Sequence, residues 1–221
     1  MKTVQKMLYY FLFLSFPLLL IGSSIRLALS PIFLEVEYRL PGVPDDLFGF
    51  TFEERLKFAE LSSDYLINSA DIKFLANIKT DDGQPLFNQR ELSHMQDVKK
   101  LTQSALKIWY LLLILWAGSI FFFWKRKSLD VFWKSILNGG WLTIALMAGT
   151  ILMVLLNFNA LFTAFHRVFF IGDTWLFYTS DSLIRLFPQR FWMDVFFFIG
   201  GLSLALSVLA IYLGRRFANP D

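Results

Sequence analysis

The sequence has no cysteine, and its only two histidines are His94 and His166. Without cysteine there are no disulfides, no thiolate metal ligands and no cysteine nucleophile. The GxSxG, GxxxxGK[ST] and GxGxxG patterns of common nucleophile and nucleotide sites are also missing. Charged residues make up only 18% of the chain, against about 25% in ordinary soluble domains. These absences argue against cysteine enzymes, thiolate metal enzymes and the common nucleotide-binding enzymes.

Large apolar side chains are abundant instead. The chain is 56% hydrophobic and 18% aromatic, with 26 phenylalanines among 221 residues. A soluble domain of this size leaves roughly a third of its surface exposed, so it has no room to bury so many of them. The composition therefore predicts an integral membrane protein. The net charge of +3 is too small to indicate a nucleic-acid partner.

Four segments are long and apolar enough to cross a bilayer, which requires roughly 20 residues per helix. They cover about residues 7–29, 106–124, 136–156 and 191–213. The first is longer than a signal-peptide core, and Arg26 lies where a cleavage site would be approached, so we interpret it as a true span. The sequence predicts one integral membrane domain over 1–221, with insertions at 30–105 and 157–190.

Lysine and arginine flanking the spans predict the orientation. They cluster before the first span, between the second and third, and after the fourth, at Lys2, Lys6, Lys125, Arg126, Lys127, Lys134, Arg215 and Arg216. With four spans, all three clusters lie on one side. Both termini are then cytoplasmic and both insertions are extracytoplasmic. Between Glu35 and Lys100 the longer insertion holds 13 acidic and 8 basic residues, as its outside position allows.

The insertion between spans 1 and 2 is expected to form a small α+β domain. Phe33–Leu40 alternates apolar and polar residues like an edge strand, and Phe74–Phe87 is typical of a hairpin that turns at residues 81–83. Thr51 and Glu54 form a capping-box pattern that opens a helix to about Leu61. Asn88, followed by a glutamate three residues later, opens a helix that is expected to run into the second span.

The insertion between spans 3 and 4 is expected to hold an interfacial helix. Asn159 is a plausible N-cap for a helix over Ala160–Phe170. Thr163, His166 and Arg167 recur at helical spacing and form a polar stripe on a phenylalanine-rich surface, which is typical of helices lying at a membrane surface. Both histidines therefore lie in extracytoplasmic insertions.

Histidine suits general acid–base catalysis because its pKa of about 6.5 lies near working pH. Asp97 follows His94 by three residues and can share its helical face. A zinc site is the competing interpretation, because Asp97 and Asp173 could complete a ligand set, but metal-site spacings such as HExxH are absent. Arg26 either extends toward the headgroups or lines a cavity for an anionic or ester oxygen.

The HMxDV string at residues 94–98, the FHRVFF string around His166 with Trp175 after it, the four spans and the length resemble the lipoprotein intramolecular transacylases (Lit) of Gram-positive bacteria. The resemblance implies an acyltransferase of the bacterial cytoplasmic membrane. Its substrate would be a diacylglyceryl lipoprotein, whose sn-2 acyl chain moves to the α-amine of the N-terminal cysteine and leaves a lyso-form lipoprotein. The implied essential pair is His94 and His166.

On this hypothesis His94, oriented by Asp97, is the base, and His166 protonates the leaving oxygen or polarises the carbonyl, although the two roles are interchangeable at this stage. Arg167 is expected to stabilise negative charge. Further possible substrate-site residues are Arg26, Asp173 and Trp175. Neither metal nor cofactor is required. The expected partners are the lipoprotein and membrane lipid, with no nucleic acid.

Two other functions remain open on the sequence. A membrane scaffold or receptor would use the acidic insertion and would not depend on the histidines. A metal-dependent lipid hydrolase would release free fatty acid and lose activity to a chelator. A small transporter is the weakest alternative, because polar residues are sparse and charges are absent in the middle of the spans.

Overall fold

The computed structural model describes residues 2–218 as helices joined by turns. The helices are α1 Thr3–Ala28, α2 Pro31–Tyr38, α3 Phe52–Ile67, α4 Lys73–Ala76, α5 Gln89–Lys125, α6 Leu129–Phe169, α7 Ser182–Leu186 and α8 Gln189–Ala218. The chain divides into two compact units. Residues 2–26, 106–155 and 197–218 form the membrane unit, and Leu27–Ala105 with Leu156–Phe196 form the histidine unit.

The membrane unit contains the apolar parts of the four long helices. Helices α1, α5, α6 and α8 are each long and apolar enough to cross a membrane, which confirms the expected polytopic α-helical class. Leu12 and Phe123 are fully buried in its core, which also contains the buried rings of Phe16, Trp116 and Phe132. Polar contacts join helices as well: the Trp116 indole donates to Ser15 Oγ at 3.1 Å. Packing and interhelical hydrogen bonds are the forces that hold helices together in lipid.

Small residues allow α1 and α6 to approach closely inside the membrane unit. A Cβ atom added to Gly139 would lie 2.6 Å from Cβ of Phe16, well inside van der Waals contact. Gly118 has nothing within 4 Å of the equivalent position. Gly139 is therefore a packing requirement, whereas Gly118 is replaceable.

We expect Gly139→Ala to destabilise the protein by about 1–3 kcal/mol, the usual cost of overpacking a filled core. Thermal unfolding in detergent measures the effect, and Gly118→Ala is the matched control. The control should unfold at or above the wild-type temperature, because alanine is the better helix former. Equal unfolding temperatures for Gly139→Ala and wild type would contradict this packing.

The histidine unit has a separate hydrophobic core. It consists of Phe58, Tyr65, Leu75, Leu86, Phe87, Leu92, Met95, Leu183 and Leu186. Helix α3 packs against α2, α4 and α7 around this core. Its start follows the predicted capping box, because Thr51 Oγ1 accepts from the Glu54 amide while the Glu54 carboxylate accepts from the Thr51 amide. The helix continues to Ile67, beyond the expected end at about Leu61.

The β component expected in the longer insertion is wrong. Residues 33–40 lie mostly in helix α2, which begins with Ser30 as N-cap and Pro31 in the first turn. Its buried residues, Phe33, Leu34, Glu37 and Tyr38, follow helical spacing that the apolar–polar alternation concealed. No strand occurs within residues 2–218.

The expected hairpin over residues 74–87 is reduced to helix α4 and a turn. A single antiparallel bridge pairs Lys79 with Pro85. Gly83 closes the turn with φ of +81°, a conformation that glycine adopts without steric cost. Proline lacks an amide donor, so Pro85 cannot extend the ladder.

The helical segments that carry the histidines both begin at asparagine caps. The Asn88 amide donates to Glu91 Oε2 at 2.7 Å, and α5 then runs unbroken to Lys125, as predicted. Helix α6 is interrupted at Asn157, whose φ of −161° and ψ of 83° are not helical. Asn157 Oδ1 accepts from the Ala160 amide at 3.0 Å, so this residue, and not the expected Asn159, caps the final segment of α6.

Candidate active site

His94 and His166 lie face to face in the histidine unit. Their ring centroids are 6.0 Å apart, and the ring planes differ by 21°. Each side chain is buried, with 8% of the residue exposed. His94 is supplied by the first turns of α5 and His166 by the final segment of α6, so 72 positions of sequence separate two rings that nearly stack. The structure thus brings together the two residues singled out from the sequence.

Aromatic rings enclose the pair. Phe170 contacts both histidines, with its ring centroid 5.0 Å from that of His94 and 5.4 Å from that of His166. Trp175 packs on His166 at 4.8 Å, and Phe177 packs edge-on against His94 at 5.3 Å. Phe162, one turn before His166, is at 4.1 Å. The imidazoles are therefore shielded from water on several sides.

The hydrogen bonds of the two rings differ. His166 Nδ1 is 2.8 Å from the Phe162 carbonyl oxygen, which only accepts, so Nδ1 carries the proton. In the neutral ring Nε2 is then the free acceptor. His94 Nδ1 is buried and has no hydrogen-bond partner among the described residues. A buried polar atom without a partner costs free energy, which a ligand atom at this position would recover.

The apolar stretches expected to cross the membrane cover residues 106–124 and 136–156, and both histidines lie outside them. The pKa of His94 is lowered to about 4, mainly by burial and to a smaller extent by the neighbouring His166, while the charge of Asp97 opposes the shift. Burial also lowers the pKa of His166, against the bond to the Phe162 carbonyl. Both rings are therefore neutral at physiological pH, and each can accept a proton or donate a hydrogen bond.

Glu91 anchors the helix turn that carries His94. The sequence predicted only its part in the helix start at Asn88, not its bond to α7. The side chain is 1% exposed. Its carboxylate accepts from the Leu183 amide of α7 at 2.7 Å as well as from the Asn88 amide. Burial raises the pKa of this carboxyl, against the two backbone amides that favour its charged form.

Arg90 and Asp181 fasten the segment that supplies Trp175 and Phe177. Arg90 Nη2 is 3.4 Å from Asp181 Oδ2, and its guanidinium lies over the rings of Phe177 and Tyr178 at 5.8 and 5.1 Å. Asp181 also accepts from the Tyr178 amide at 2.8 Å. The arginine therefore helps to hold Phe177, which packs against His94, in place.

We expect Arg90→Ala to loosen residues 172–181 and to lower catalytic activity about three- to tenfold without unfolding the protein. The reason is that the guanidinium connects α5 to this segment through both an ion pair and ring contacts. Hydrogen exchange should become faster at residues 172–181 and remain unchanged in α3. Arg39→Ala removes an exposed pair with Glu35 and is the matched control. Unaltered exchange in Arg90→Ala would exclude this fastening role.

Of the remaining predicted site residues, only Trp175 is in ring contact with one of the histidines. Trp175 packs on His166 as described, and Asp173 is exposed in the preceding turn. Asp97 Oδ1 pairs with Lys100 Nζ at 3.0 Å, and among the described contacts it makes no hydrogen bond to His94. Arg167 lines a surface groove together with Asn157, Asn159, Ala160, Thr163 and Ala164. Arg26 belongs to the membrane unit.

No group of three or more histidine or carboxylate side chains within residues 2–218 is arranged to hold a metal ion.

The fold and the site define a multi-pass membrane protein that carries a buried pair of neutral imidazoles. The family model described as lipoprotein intramolecular transacylase Lit matches residues 10–192. An uncharacterized protein of Aquifex aeolicus (strain VF5) is 32% identical over 218 residues, which cover 97% of each chain. The chain belongs to the Lit family and is an acyltransferase.

Solved structures share the fold. The membrane-integral Lit of Bacillus cereus superposes with a TM-score of 0.76 at 20% identity, covering 98% of this chain and 97% of the other. A variant of the same Bacillus cereus protein, in which one histidine is replaced by arginine, gives 0.73 at 21% identity, covering 97% and 92%. At these identities the likeness concerns the fold alone.

Proposed function

We propose that the protein moves the sn-2 acyl chain of a diacylglyceryl lipoprotein to the α-amine of its N-terminal cysteine, with His94 and His166 as the catalytic groups. The observation that carries this proposal is the buried histidine pair. Nδ1 of His94 has no hydrogen-bond partner among the described residues, and Nε2 of His166 is free to accept a proton. Family membership supplies the reaction class. The geometry supports acid–base catalysis without an enzyme nucleophile.

The chemistry requires one base and one hydrogen-bond donor. An α-amine with a pKa of about 8 is largely protonated at neutral pH. After losing a proton, its nitrogen attacks the ester carbonyl carbon and forms the C–N bond. The C–O bond to glycerol then breaks, and the glyceryl oxygen takes a proton. Starting from the ammonium form, each turnover yields one amide, one alcohol and one proton released to solvent.

The hydrogen bonds favour His166 as the base. Its Nδ1–H is held by the Phe162 carbonyl, so Nε2 is free to accept a proton from the amine. The same carbonyl stabilises the imidazolium once it forms. This reverses the assignment that placed the base at His94, and it leaves Asp97 without an orienting role in the base.

His94 is then the hydrogen-bond donor to the reacting ester. Its lowered pKa keeps the ring neutral, and a neutral imidazole with one N–H can polarise a carbonyl or assist the departing oxygen. The buried, unpartnered Nδ1 offers a position for that contact. Because amine and ester belong to one substrate molecule, holding them in contact contributes several kcal/mol to the lowering of the barrier.

We further propose that the protein lies in the bacterial cytoplasmic membrane with both termini in the cytoplasm and the histidine unit outside. The lysine and arginine clusters flanking the spans support this orientation. The natural chain has no cysteine, so single cysteines introduced at exposed positions can be labelled from outside the cell without background. The Glu53→Cys variant should react with a membrane-impermeant thiol reagent in intact cells, and the Lys127→Cys variant only after lysis. The reverse pattern would overturn the proposed orientation.

Purified protein in detergent with a synthetic diacylglyceryl lipopeptide tests the reaction. The product is an isomer with unchanged mass, so the distinguishing step is mild alkali, which cleaves esters and spares amides. The substrate should lose both acyl chains, whereas the product keeps one on nitrogen. A mixture of two peptides with differently labelled acyl chains should give no crossed product, because the transfer is intramolecular.

The alternatives give different results in the same assay. A lipid hydrolase releases free fatty acid, and if it depends on a metal it is inhibited by a chelator. A scaffold or receptor leaves the lipopeptide unchanged. Crossed products would indicate acyl transfer between molecules. Any of these results would overturn the proposal.

A further inference from the structure

A cleft of about 320 Å³ lies beside the histidine pair. Asp97, Lys100, Leu101 and Ser104 of α5 form one wall, and Phe169, Phe170 and Ile171 form the other. The ring of Phe170 contacts both His94 and His166, so the cleft and the catalytic pair share a wall. The volume falls in the range of small-molecule sites.

The two walls differ in character. Asp97, Lys100 and Ser104 recur at i, i+3 and i+7 and present a carboxylate, an ammonium and a hydroxyl on one helix face. The opposite wall is apolar, and Ile171 is 96% exposed. A ligand that fits this cleft carries charge and hydrogen-bonding groups on one side and hydrocarbon on the other.

Asp97 is available to such a ligand. Its bond to Lys100 is an i,i+3 pair whose two side chains are 41% and 76% exposed. Pairs of this kind contribute little to stability, so a ligand cation can replace the lysine at small cost. Asp97 is not bonded to His94, whose Nδ1 has no partner. Among the described residues, Lys100 is the hydrogen-bond partner of the Asp97 carboxylate.

We propose that this cleft binds the amino terminus of the substrate, with the Asp97 carboxylate receiving the α-ammonium group and the Phe169–Ile171 wall receiving the first carbons of the lipid. This inference rests on the proposed function. It makes Asp97 a substrate-binding residue that selects a charged amine, rather than a residue acting through His94.

The arrangement also accounts for product release. The substrate enters as a cation and leaves as an amide, which carries no charge at that nitrogen. The attraction to Asp97 is therefore present before transfer and lost after it. The same carboxylate favours substrate over product in the cleft without any movement of the protein.

Non-transferable lipopeptides test this role. The probes are a diether analogue with a free α-amine, which has no acyl chain to transfer, and its N-acetyl derivative. We expect wild type to bind the free amine about tenfold more tightly than the N-acetyl form. Asp97→Asn should bind the two equally, and Asp97→Glu should keep the preference. Glu53→Gln, which alters an exposed carboxylate at the start of α3, is the matched control.

Kinetics with the transferable lipopeptide complete the test. Asp97→Asn should raise KM about tenfold and change kcat less than threefold, with an unshifted pH profile. A fall in kcat with a shifted pH profile, and an unchanged preference between the two analogues, would instead mean that Asp97 acts through His94 and would overturn the inference. So would a wild-type enzyme that binds both analogues equally, or an Asp97→Asn variant that matches wild type throughout.

Failure of the proposed function has a separate signature. If wild type transfers no acyl chain yet prefers the free-amine analogue in an Asp97-dependent manner, the cleft binds cationic lipopeptides and the proposed reaction is wrong. If wild type transfers the acyl chain but does not prefer the free-amine analogue, the proposed reaction is supported and the assignment of the cleft is wrong.

Discussion

Replacing His94 or His166 with alanine should lower the rate of acyl transfer by a factor of about 10² to 10⁴, the range in which one positioned acid or base contributes. The two rings lie 6.0 Å apart and are both buried, so each replacement leaves only one imidazole in the candidate site. The rate of appearance of alkali-resistant acyl chains on the lipopeptide measures the effect. The double variant should be little slower than either single variant, because residues that act as a unit are not additive.

Alanine also leaves a cavity among the aromatic rings, so activity alone does not separate catalysis from folding. His94→Gln and His166→Gln retain most of the volume and a hydrogen-bonding end, but neither side chain takes up a proton near neutral pH. Their unfolding temperatures should lie close to that of wild type while their rates stay low. A glutamine variant that keeps full activity at either position would falsify the acid–base assignment there.

Replacing Glu91 with alanine should give the largest loss of stability among the single changes considered. The carboxylate is the acceptor for two backbone amides, those of Asn88 and Leu183, and the side chain is almost completely buried. A buried donor left without an acceptor costs about 1–3 kcal/mol. Loss of both contacts should lower the unfolding temperature clearly and lower activity with it, because His94 lies one turn further along α5.

Glu91→Gln discriminates between charge and hydrogen bonding. Its single amide oxygen can serve one of the two donors, so its stability should fall between those of wild type and Glu91→Ala. Hydrogen exchange should become faster at residues 88–95 and 182–186 in both variants. Glu53→Ala, at an exposed position, is the control. An alanine variant as stable as wild type would show that these two bonds do not anchor α5.

The spans and the helix starts could be predicted because their causes are local. Apolar runs of membrane length dictate the four long helices, and Thr51 and Asn88 cap helices through residues three positions away. Helix α2 was missed because alternation over eight residues also fits a helix whose buried side chains come in adjacent pairs. The Ser30–Pro31 start was the signal that should have decided the matter.

The candidate site was only partly predictable, because its contacts join distant parts of the chain. His94 and His166 could be selected because they are the only histidines in the sequence and because imidazole suits acid–base catalysis. No rule of sequence spacing, however, predicts that two rings 72 positions apart lie face to face. The ion pair of Arg90 with Asp181 and the bond from Leu183 to Glu91 have the same character. Each depends on how α5 and the segment before α8 pack within the histidine unit.

The aromatic rings around His94 and His166 affect the competition between aminolysis and hydrolysis of the ester. An activated ester can be attacked by the amine or by water, and water is by far the more abundant of the two. Aromatic rings cover the imidazoles with hydrocarbon, which offers water few hydrogen bonds; they belong to Phe162, Phe170, Trp175 and Phe177. If the proposed function is correct, these rings favour transfer of the acyl chain to nitrogen over its loss as fatty acid.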